Sequence, residues 1–128
     1  MGTILRSANW FGIDTVFCSR DCVNAFNPKV VQASMGSLFF TDVVETDLKT
    51  LFTSAGDFPI YATTLNGDDV REINFPKAGF IIIGSEGKGI GDEIISFAQK
   101  KISIPSFSKA ESLNAAVAAG IICYELRK

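Results

Sequence analysis

The chain has 128 residues, 47% of them apolar, and a formal net charge of −2 at pH 7; these values fit one domain with a single core and exclude a disordered chain. No apolar run reaches the roughly 18 residues of a membrane span and no secretory signal opens the sequence, so we expect a soluble, cytoplasmic domain without membrane contact. The acidic pI of about 5.0 argues against a domain that is basic throughout, because affinity for nucleic-acid phosphates depends on clustered Lys and Arg.

Helices and strands are predicted to alternate in the first half of the chain. Asn27 and Pro28 are typical of an N-cap and the first helical position, and Gly12 and Gly56 are typical of helix ends. In chain order the predicted elements are a helix over residues 3–11, a strand over 15–18, a helix over 28–34, a strand with a turn over 37–44, a helix over 46–54, a strand over 59–63 and a turn over 66–69.

The second half continues this alternation. Residues 79–83 are continuously apolar, as in a strand covered on both faces in a parallel sheet. A helix over 92–101 carries acids in its first turn and lysines in its last, a strand follows over 102–104, and Ser108 with Glu111 forms a capping box for a final helix. The apolar face of this last helix is formed by Leu113, Ala116, Val117, Gly120, Ile121 and Tyr124. The pattern predicts an open α/β sheet that binds ligands at the carboxyl ends of its strands.

Three cysteines and the absence of histidine limit the possible chemistry. Cys18, Cys22 and Cys123 include no CxxC pair, so we predict neither a zinc site nor another imidazole-based metal site, and we expect all three to be packing residues. Any proton transfer must then fall to Arg, Lys, Glu, Asp, Tyr or the substrate itself.

A glycine-rich turn, Gly-Ser-Glu-Gly-Lys-Gly, follows the apolar strand at residues 84–89. It lacks the four-residue spacing of a Walker loop, and Glu86 stands where a dinucleotide fingerprint needs glycine. Glycines permit positive φ and leave room for a ligand beside the backbone. The segment is therefore either an ordinary strand-to-helix turn or a ligand-binding loop.

A second polar segment begins at Ile104 and Pro105 and reaches Ser112 and Asn114. The proline ends a strand, and a capping box alone would need no function. Ser112 and Asn114, however, lie near the first turns of a helix, where free N–H groups and short polar side chains can hold a ligand carboxylate or hydroxyl.

Arg6 lies in the first predicted helix, within the segment Gly-Thr-Ile-Leu-Arg-Ser-Ala. An arginine near a helix start is most often solvated or directed at a phosphate. Its guanidinium stays protonated, so it is better suited to clamp a phosphate or stabilise charge than to act as a free base.

Together these segments resemble the SpoU family of RNA methyltransferases, in the SPOUT superfamily, across essentially the whole chain. The matching segments are residues 2–8 with 11–12, 27–31, 34–39, 83–90, and 104–105 with 112–114 and Ala118. The resemblance implies one catalytic domain over residues 1–128, with a mostly parallel α/β sheet flanked by helices and a carboxyl-terminal trefoil knot, an exception to the rule against threaded chains.

The resemblance also implies an activity, namely methyl transfer from S-adenosylmethionine to a ribose 2′-hydroxyl of tRNA or rRNA, with no metal. It implies a homodimer whose active site takes residues from both subunits. The implied catalytic residues are Arg6, Glu86, Ser112 and Asn114. The implied cofactor-binding residues are Gly84, Ser85, Glu86, Gly87, Gly89, Ile104, Pro105, Ser112, Leu113 and Asn114.

The match departs from the family pattern at two places. Ser108 stands where the family generally has glycine. The family's first motif begins with a strand and an asparagine two residues before the position of Gly2, which falls before Met1. We therefore expect the parent protein to carry an amino-terminal extension with that strand and RNA-binding surface, and we expect the 128-residue chain alone to fold but to be inactive or weakly active.

Two other functions compete with this prediction. One is a non-catalytic module of the same fold that binds RNA or a partner; a binding-only relative would have no physical need to keep Arg6, Glu86, Ser112 and Asn114 together. The other is a flavodoxin-like nucleotide-binding domain, which the loops disfavour because they carry neither a Walker lysine arrangement nor a dinucleotide fingerprint.

Overall fold

A computed structural model describes residues 1–128, in which helices and strands alternate as the α/β prediction requires. The elements are α1 (Gly2–Trp10), β1 (Thr15–Cys18), α2 (Pro28–Ser34), a 3₁₀ helix (Ser37–Phe39), β2 (Asp42–Glu45), α3 (Leu48–Thr53), β3 (Ile60–Asp69), a second 3₁₀ helix (Val70–Glu72), β4 (Phe80–Ile82), α4 (Asp92–Ile95), β5 (Lys100–Ser103) and α5 (Ala115–Glu125). None of these helices has the length and apolar character needed to cross a membrane.

The strands form two parallel sheets rather than one. β1 pairs with β2, and β3 lies between β4 and β5. The two sheets meet through Phe17 of β1 and Phe80 of β4, whose ring centroids are 6.0 Å apart. Because strands of a parallel sheet end at the same edge, the loops that follow β4 and β5 emerge side by side, with the end of β3 between them.

The core consists of two apolar clusters on the three-stranded sheet. One is formed by Phe52, Ala55, Ile60 and Ile82, the other by Val70, Ile102 and Ile122. The first helix, α1, packs against both α2 and α5 and buries Leu5 completely. The core thus holds α5 against the three-stranded sheet, and α1 packs on α5.

The Arg127 side chain, just after α5, is hydrogen-bonded to the end of α1. Arg127 donates one hydrogen bond to the carbonyl oxygen of Phe11 and another to that of Gly12, both at 2.6 Å. The ring of Phe11 also meets Tyr124 edge-on, with centroids 6.3 Å apart. These contacts satisfy carbonyls that the end of α1 leaves without helical partners.

The amino-terminal half agrees with prediction except at one strand. The predicted helices over 3–11 and 28–34 are confirmed, and the Asn27 side chain accepts a hydrogen bond from the N–H of Lys29 at 3.0 Å, as an N-cap should. The strand predicted over 37–44 is wrong in its first part. Met35 and Gly36 both have positive φ, which turns the chain into a 3₁₀ helix before β2 begins.

The helix predicted over 92–101 is too long. Only Asp92–Ile95 is helical, and Lys100 and Lys101 lie in β5, opposite Tyr61 and Ala62 of β3. Burying a strand beside the central strand outweighs the weak preference of lysine for a helix end.

The predicted capping box at Ser108 is also wrong. The Ser108 hydroxyl instead accepts a hydrogen bond from the N–H of Ala110 at 3.2 Å, and α5 begins only at Ala115. Its N-cap is Asn114, whose Oδ1 accepts from the N–H groups of Ala116 at 2.9 Å and Val117 at 3.3 Å. Asn114 satisfies two N–H groups of the helix start, which explains why the helix begins there.

The cysteine prediction holds at two of three positions. Cys18 is buried, and burial raises its pKa to about 11; burial also raises the pKa of Cys123. Both are packing residues. Cys22 is exposed, so the prediction is wrong there.

The turn predicted over 66–69 is a bulge within β3. Thr63 and Asp68 both lie opposite Ile102, so the residues between them are looped out of the pairing. A Cβ on Gly67 would lie only 2.5 Å from the backbone N and C atoms of Ile102. Glycine is therefore required where the bulge crosses β5.

Replacing this glycine should destabilise the fold. Gly67→Ala is expected to lower the free energy of unfolding by about 1–3 kcal/mol, because the methyl group overlaps backbone that has no room to move. Urea denaturation would measure the change. The matched control is Gly91→Ala, where a Cβ meets no atom within 4 Å and φ is −62°. Equal stability of the two variants would contradict the prediction.

Candidate active site

The loop after β4 closes on itself. The backbone groups of Ser85 and Gly89 exchange two hydrogen bonds, at 2.9 and 3.2 Å, and the Ser85 hydroxyl accepts from the N–H of Lys88 at 3.3 Å. Gly89 has a φ of +66°, and a Cβ on Gly84 would lie 2.6 Å from the carbonyl carbon of Gly89. Glycine is needed at both positions for this closed shape, while Gly87 at its tip faces open space.

One amide connects this loop to α5. The Asn114 Nδ2 donates to Glu86 Oε1 at 2.6 Å, while the Oδ1 of the same side chain caps α5. Hydrogen bonds to a charged group are the stronger ones, so this contact fixes the carboxylate of Glu86 in direction as well as in place. The position of the glycine-rich loop and the start of the last helix are therefore linked through Asn114.

The segment between β5 and α5 offers free backbone groups. None of the backbone–backbone hydrogen bonds involves residues 104–113. Ile104 packs against the cluster around Ile102, Pro105 is half-buried, and Ser112 and Leu113 are exposed. The N–H and C=O of Ser108 and the N–H of Ala110 pair with serine side chains instead. The backbone groups of the other residues have no partner in the chain and are suited to bind a polar ligand.

An unsatisfied side-chain hydroxyl lies in the bulge of β3. The Thr64 Oγ1 atom is buried and has no hydrogen-bond partner. The bulge belongs to the strand between β4 and β5, whose following loops flank it. A buried hydroxyl without a partner costs free energy that a bound polar ligand can recover.

An open cavity of about 910 Å³ lies where α1, α2 and α5 approach the glycine-rich loop. Its volume is in the range of small-molecule sites. Two of its lining residues are charged, Lys29 and Glu86, and its polar lining also includes Thr3, Ser7, Asn27 and Asn114. The charges of Lys29 and Glu86 are opposite and cancel, so the lining side chains give the cavity no net charge.

The structure unites some predicted site residues and separates others. Glu86 and Asn114 are in contact and line the cavity. Ser112 is exposed and makes no side-chain hydrogen bond, and it does not line this cavity. Arg6 is exposed on α1 without a hydrogen bond or ion pair, and it is also absent from the lining. Within one chain, therefore, the cavity brings together only Glu86 and Asn114 of the four predicted catalytic residues.

Sequence reasoning missed the residues of α1, and of its C-cap, that face the cavity. Thr3, Ser7 and Phe11 line it from successive turns. Their spacing of four residues is the signal that could have identified them. Gly120 of α5 lies opposite, and a Cβ there would come within 3.6 Å of the Ser7 hydroxyl.

The sequence and the fold both have known counterparts. The profile of the SpoU rRNA methylase family matches residues 1–124. The chain is 34% identical over 130 residues to the 23S rRNA (guanosine(2553)-2′-O)-methyltransferase RlmP of Bacillus subtilis, covering 99% of this chain and 52% of that protein. It is 36% identical over 104 residues to the tRNA (guanosine(18)-2′-O)-methyltransferase of Aquifex aeolicus, covering 80% of this chain and 49% of that protein.

Among solved structures, the chain resembles the SpoU methyltransferase AviRb from Streptomyces viridochromogenes in complex with the cofactor AdoMet. The TM-score is 0.88 at 30% sequence identity, over 98% of this chain and 53% of that one. The chain thus spans about half the length of the relatives that it matches. Nearly all of its own length matches the family profile, and the expected α/β fold with parallel sheets is present. The chain belongs to the SpoU rRNA methylase family.

Proposed function

We propose that this chain transfers a methyl group from S-adenosylmethionine to a ribose 2′-hydroxyl of tRNA or rRNA. The observation that carries the proposal is the Asn114–Glu86 hydrogen bond, at 2.6 Å. It brings together two side chains that the family resemblance assigns to the site, and it does so at the edge of the sheet where ligands bind. The names of the relatives support the same reaction.

The cofactor would bind between the loops after β4 and β5. The free backbone groups of residues 104–113 and the unpartnered hydroxyl of Thr64 fit a ligand that carries adenine, hydroxyl and amino-acid groups. In this proposal the backbone around Gly84, Ile104 and Leu113 holds it, and Glu86 supports the loop. When S-adenosylmethionine is bound, its sulfonium supplies a methyl group activated for attack.

The path of the chain around this pocket is part of the proposal. We infer that the carboxyl-terminal part of the sheet forms a trefoil knot. In support, β3 lies between β4 and β5, and the segment that leaves β5 returns to the glycine-rich loop, which it contacts through Asn114. The likeness to a SpoU structure at a TM-score of 0.88 supports the same topology.

We also propose that the protein acts as a homodimer whose subunits complete each other's sites. Arg6 is exposed and unpaired, which leaves it free to reach a ribose or its phosphate across an interface. On α5 the apolar face predicted from the sequence does not pack into the core of its own chain; Val117 is 51% exposed and Tyr124 is 62% exposed. A second copy of the chain would cover such a face, and it would then also fill part of the cavity, which Val117 lines.

Orientation accounts for most of the proposed catalysis. The chain offers no imidazole, so its residues must chiefly align the ribose oxygen with the methyl carbon, which can lower the barrier by several kcal/mol. Asn114 and Ser112 would position the ribose. Arg6, which stays protonated, would hold the adjoining phosphate and stabilise the oxygen as its proton passes to water and the S–CH₃ bond breaks to leave a neutral thioether.

Calorimetric titration of S-adenosylmethionine tests the core of this proposal. Saturable binding of about one molecule per chain is expected. Asn114→Ala should weaken the binding because it frees the glycine-rich loop from α5, whereas Arg6→Ala should leave it unchanged. Failure of the folded chain to bind would contradict the proposed cofactor site and favour a non-catalytic module that binds RNA or a partner.

A further inference from the structure

The segment between β5 and α5 is held between its two ends by one side-chain contact. Among the hydrogen bonds, ion pairs and aromatic contacts of the chain, only this contact connects residues 105–113 with another part of the fold. The guanidinium carbon of Arg71 lies 5.8 Å from the centroid of the Phe107 ring, within the range of a cation–π interaction. The ring is otherwise 88% exposed, so it has little else to hold it in place.

The guanidinium of Arg71 is itself fixed by Asp69. Its Nε donates to both carboxylate oxygens of Asp69 at 3.0 Å, its Nη2 donates to Oδ2, and its backbone N–H donates to Oδ1 at 3.0 Å. These hydrogen bonds lower the pKa of the Asp69 carboxyl group, so the partner of Arg71 stays charged at neutral pH. A guanidinium can donate from its edge to a carboxylate while its face meets an aromatic ring. Arg71 therefore presents a cation to Phe107 in a fixed direction.

The backbone that carries this pair is anchored in the core. Asp69 lies opposite Ser103 in the pairing of β3 with β5, and Val70, between Asp69 and Arg71, is buried in the cluster around Ile102. The segment leaves the sheet directly after Ser103. The three side chains of Asp69, Arg71 and Phe107 thus connect the core to the segment soon after it leaves β5. A binding segment that is already held in its path spares the ligand the free energy of ordering it.

We propose that Arg71 is a positioning residue of the cofactor site: through the ring of Phe107 it holds the segment between β5 and α5 in the path that binds S-adenosylmethionine. This inference rests on the proposed function and adds a residue to its machinery, since neither Arg71 nor Phe107 lies in the segments that carry the family resemblance. When the contact is broken, the segment leaves this path more often. The cofactor then binds only the smaller fraction of chains in which the path is intact, and its apparent affinity falls by that fraction.

Calorimetric affinity for S-adenosylmethionine tests this role. Arg71→Ala and Phe107→Leu should each raise the Kd about two- to fivefold, the size of one exposed cation–π contact, whereas Phe107→Tyr keeps the π-face and should keep the original Kd. The double variant Arg71→Ala/Phe107→Leu should bind no more weakly than either single variant, because both changes break the same contact. The matched control is Lys77→Ala, which removes an exposed cation just before β4 and should bind normally. Losses that add in the double variant, or an equal loss in Phe107→Tyr, would overturn the inference.

Proteolysis tests the contact without the cofactor. A protease that cleaves only after lysine can reach Lys109, which is exposed in the segment two residues beyond Phe107. In Arg71→Ala, cleavage after Lys109 should be about two- to fivefold faster than in the unmodified chain, because the rate follows the population of the open segment. Cleavage after Lys88, in the glycine-rich loop, should not change. Unchanged cleavage after Lys109 would show that the segment is held by other contacts, and the inference would be wrong. Failure of the unmodified chain to bind S-adenosylmethionine would instead contradict the proposed function, and the proteolysis result does not depend on it.

Discussion

If the proposed function is correct, Arg6→Ala should slow methyl transfer about 100-fold or more, the loss expected when a positioned charge-stabilising group is removed. The free energy of unfolding should change by no more than about 0.5 kcal/mol, because the side chain is exposed and makes no hydrogen bond or ion pair. Single-turnover transfer of labelled methyl to RNA would measure the first quantity and urea denaturation the second. Affinity for S-adenosylmethionine should stay the same.

Two controls define the role of this arginine. Arg6→Lys keeps the charge but loses the planar fork, so a partial loss of rate would indicate a bidentate contact to phosphate. Lys77→Ala removes an exposed cation just before β4, at the opposite edge of the sheet, and should leave the rate unchanged. If both alanine variants lost activity equally, general attraction of RNA would explain the effect and the assigned role of Arg6 would be wrong.

Mixing two impaired variants would show whether Arg6 serves its own subunit. In a random mixture of Arg6→Ala and Asn114→Ala chains, half of the dimers would be mixed. If the two residues meet across the interface, each mixed dimer regains one intact site, and about a quarter of the original activity should return. If both residues serve the same subunit, every site stays defective and no activity returns.

Asn114→Ala is expected to cost both stability and activity. Loss of the N-cap should lower the free energy of unfolding by about 1 kcal/mol. Loss of the hydrogen bond to Glu86, which is charge-assisted, should reduce methyl transfer on the order of 10- to 100-fold, as hydrogen bonds to charged groups are worth about 1.5–3 kcal/mol. Urea denaturation and single-turnover transfer would measure the two effects separately.

Asn114→Asp separates the two roles of this side chain. A carboxylate still caps α5, so most of the stability should remain. It cannot donate to Glu86, however, and places a like charge where the present contact is 2.6 Å long. Activity and cofactor affinity should therefore fall as far as in Asn114→Ala. Normal activity in the aspartate variant would mean that only the cap matters.

Sequence patterns correctly predict the elements that a short segment of the chain determines by itself. Asn27 and Pro28 specify the start of α2 by themselves, and the continuous apolar run at 79–83 indicated a buried parallel strand, of which residues 80–82 form β4. The site residues Glu86 and Asn114 were found through their motifs. Their side chains are in contact across 28 residues of sequence, and their roles in the site stay predictions.

Other elements could not be predicted because they depend on contacts between residues that are far apart in the sequence. Lys100 and Lys101 look like the end of a helix until β3 pairs with them. The start of α5 was misplaced because Ser108 and Glu111 satisfy a capping rule that Asn114 satisfies better in the folded chain. The bulge opposite Ile102 was read as a turn, because its glycine is explained only by the strand that crosses it.

The hydrogen bonds of Arg127 to the end of α1 have a consequence for the order of folding. They join residues 115 and 116 positions apart, which are among the most distant contacts that this chain makes. Contacts of such long range form late, since the entropy of closing the loop must be overcome first. Docking of α5 on α1, and with it assembly of the cavity, should therefore be a late step. During synthesis, most of the polypeptide would therefore have emerged from the ribosome before the active-site cavity could form.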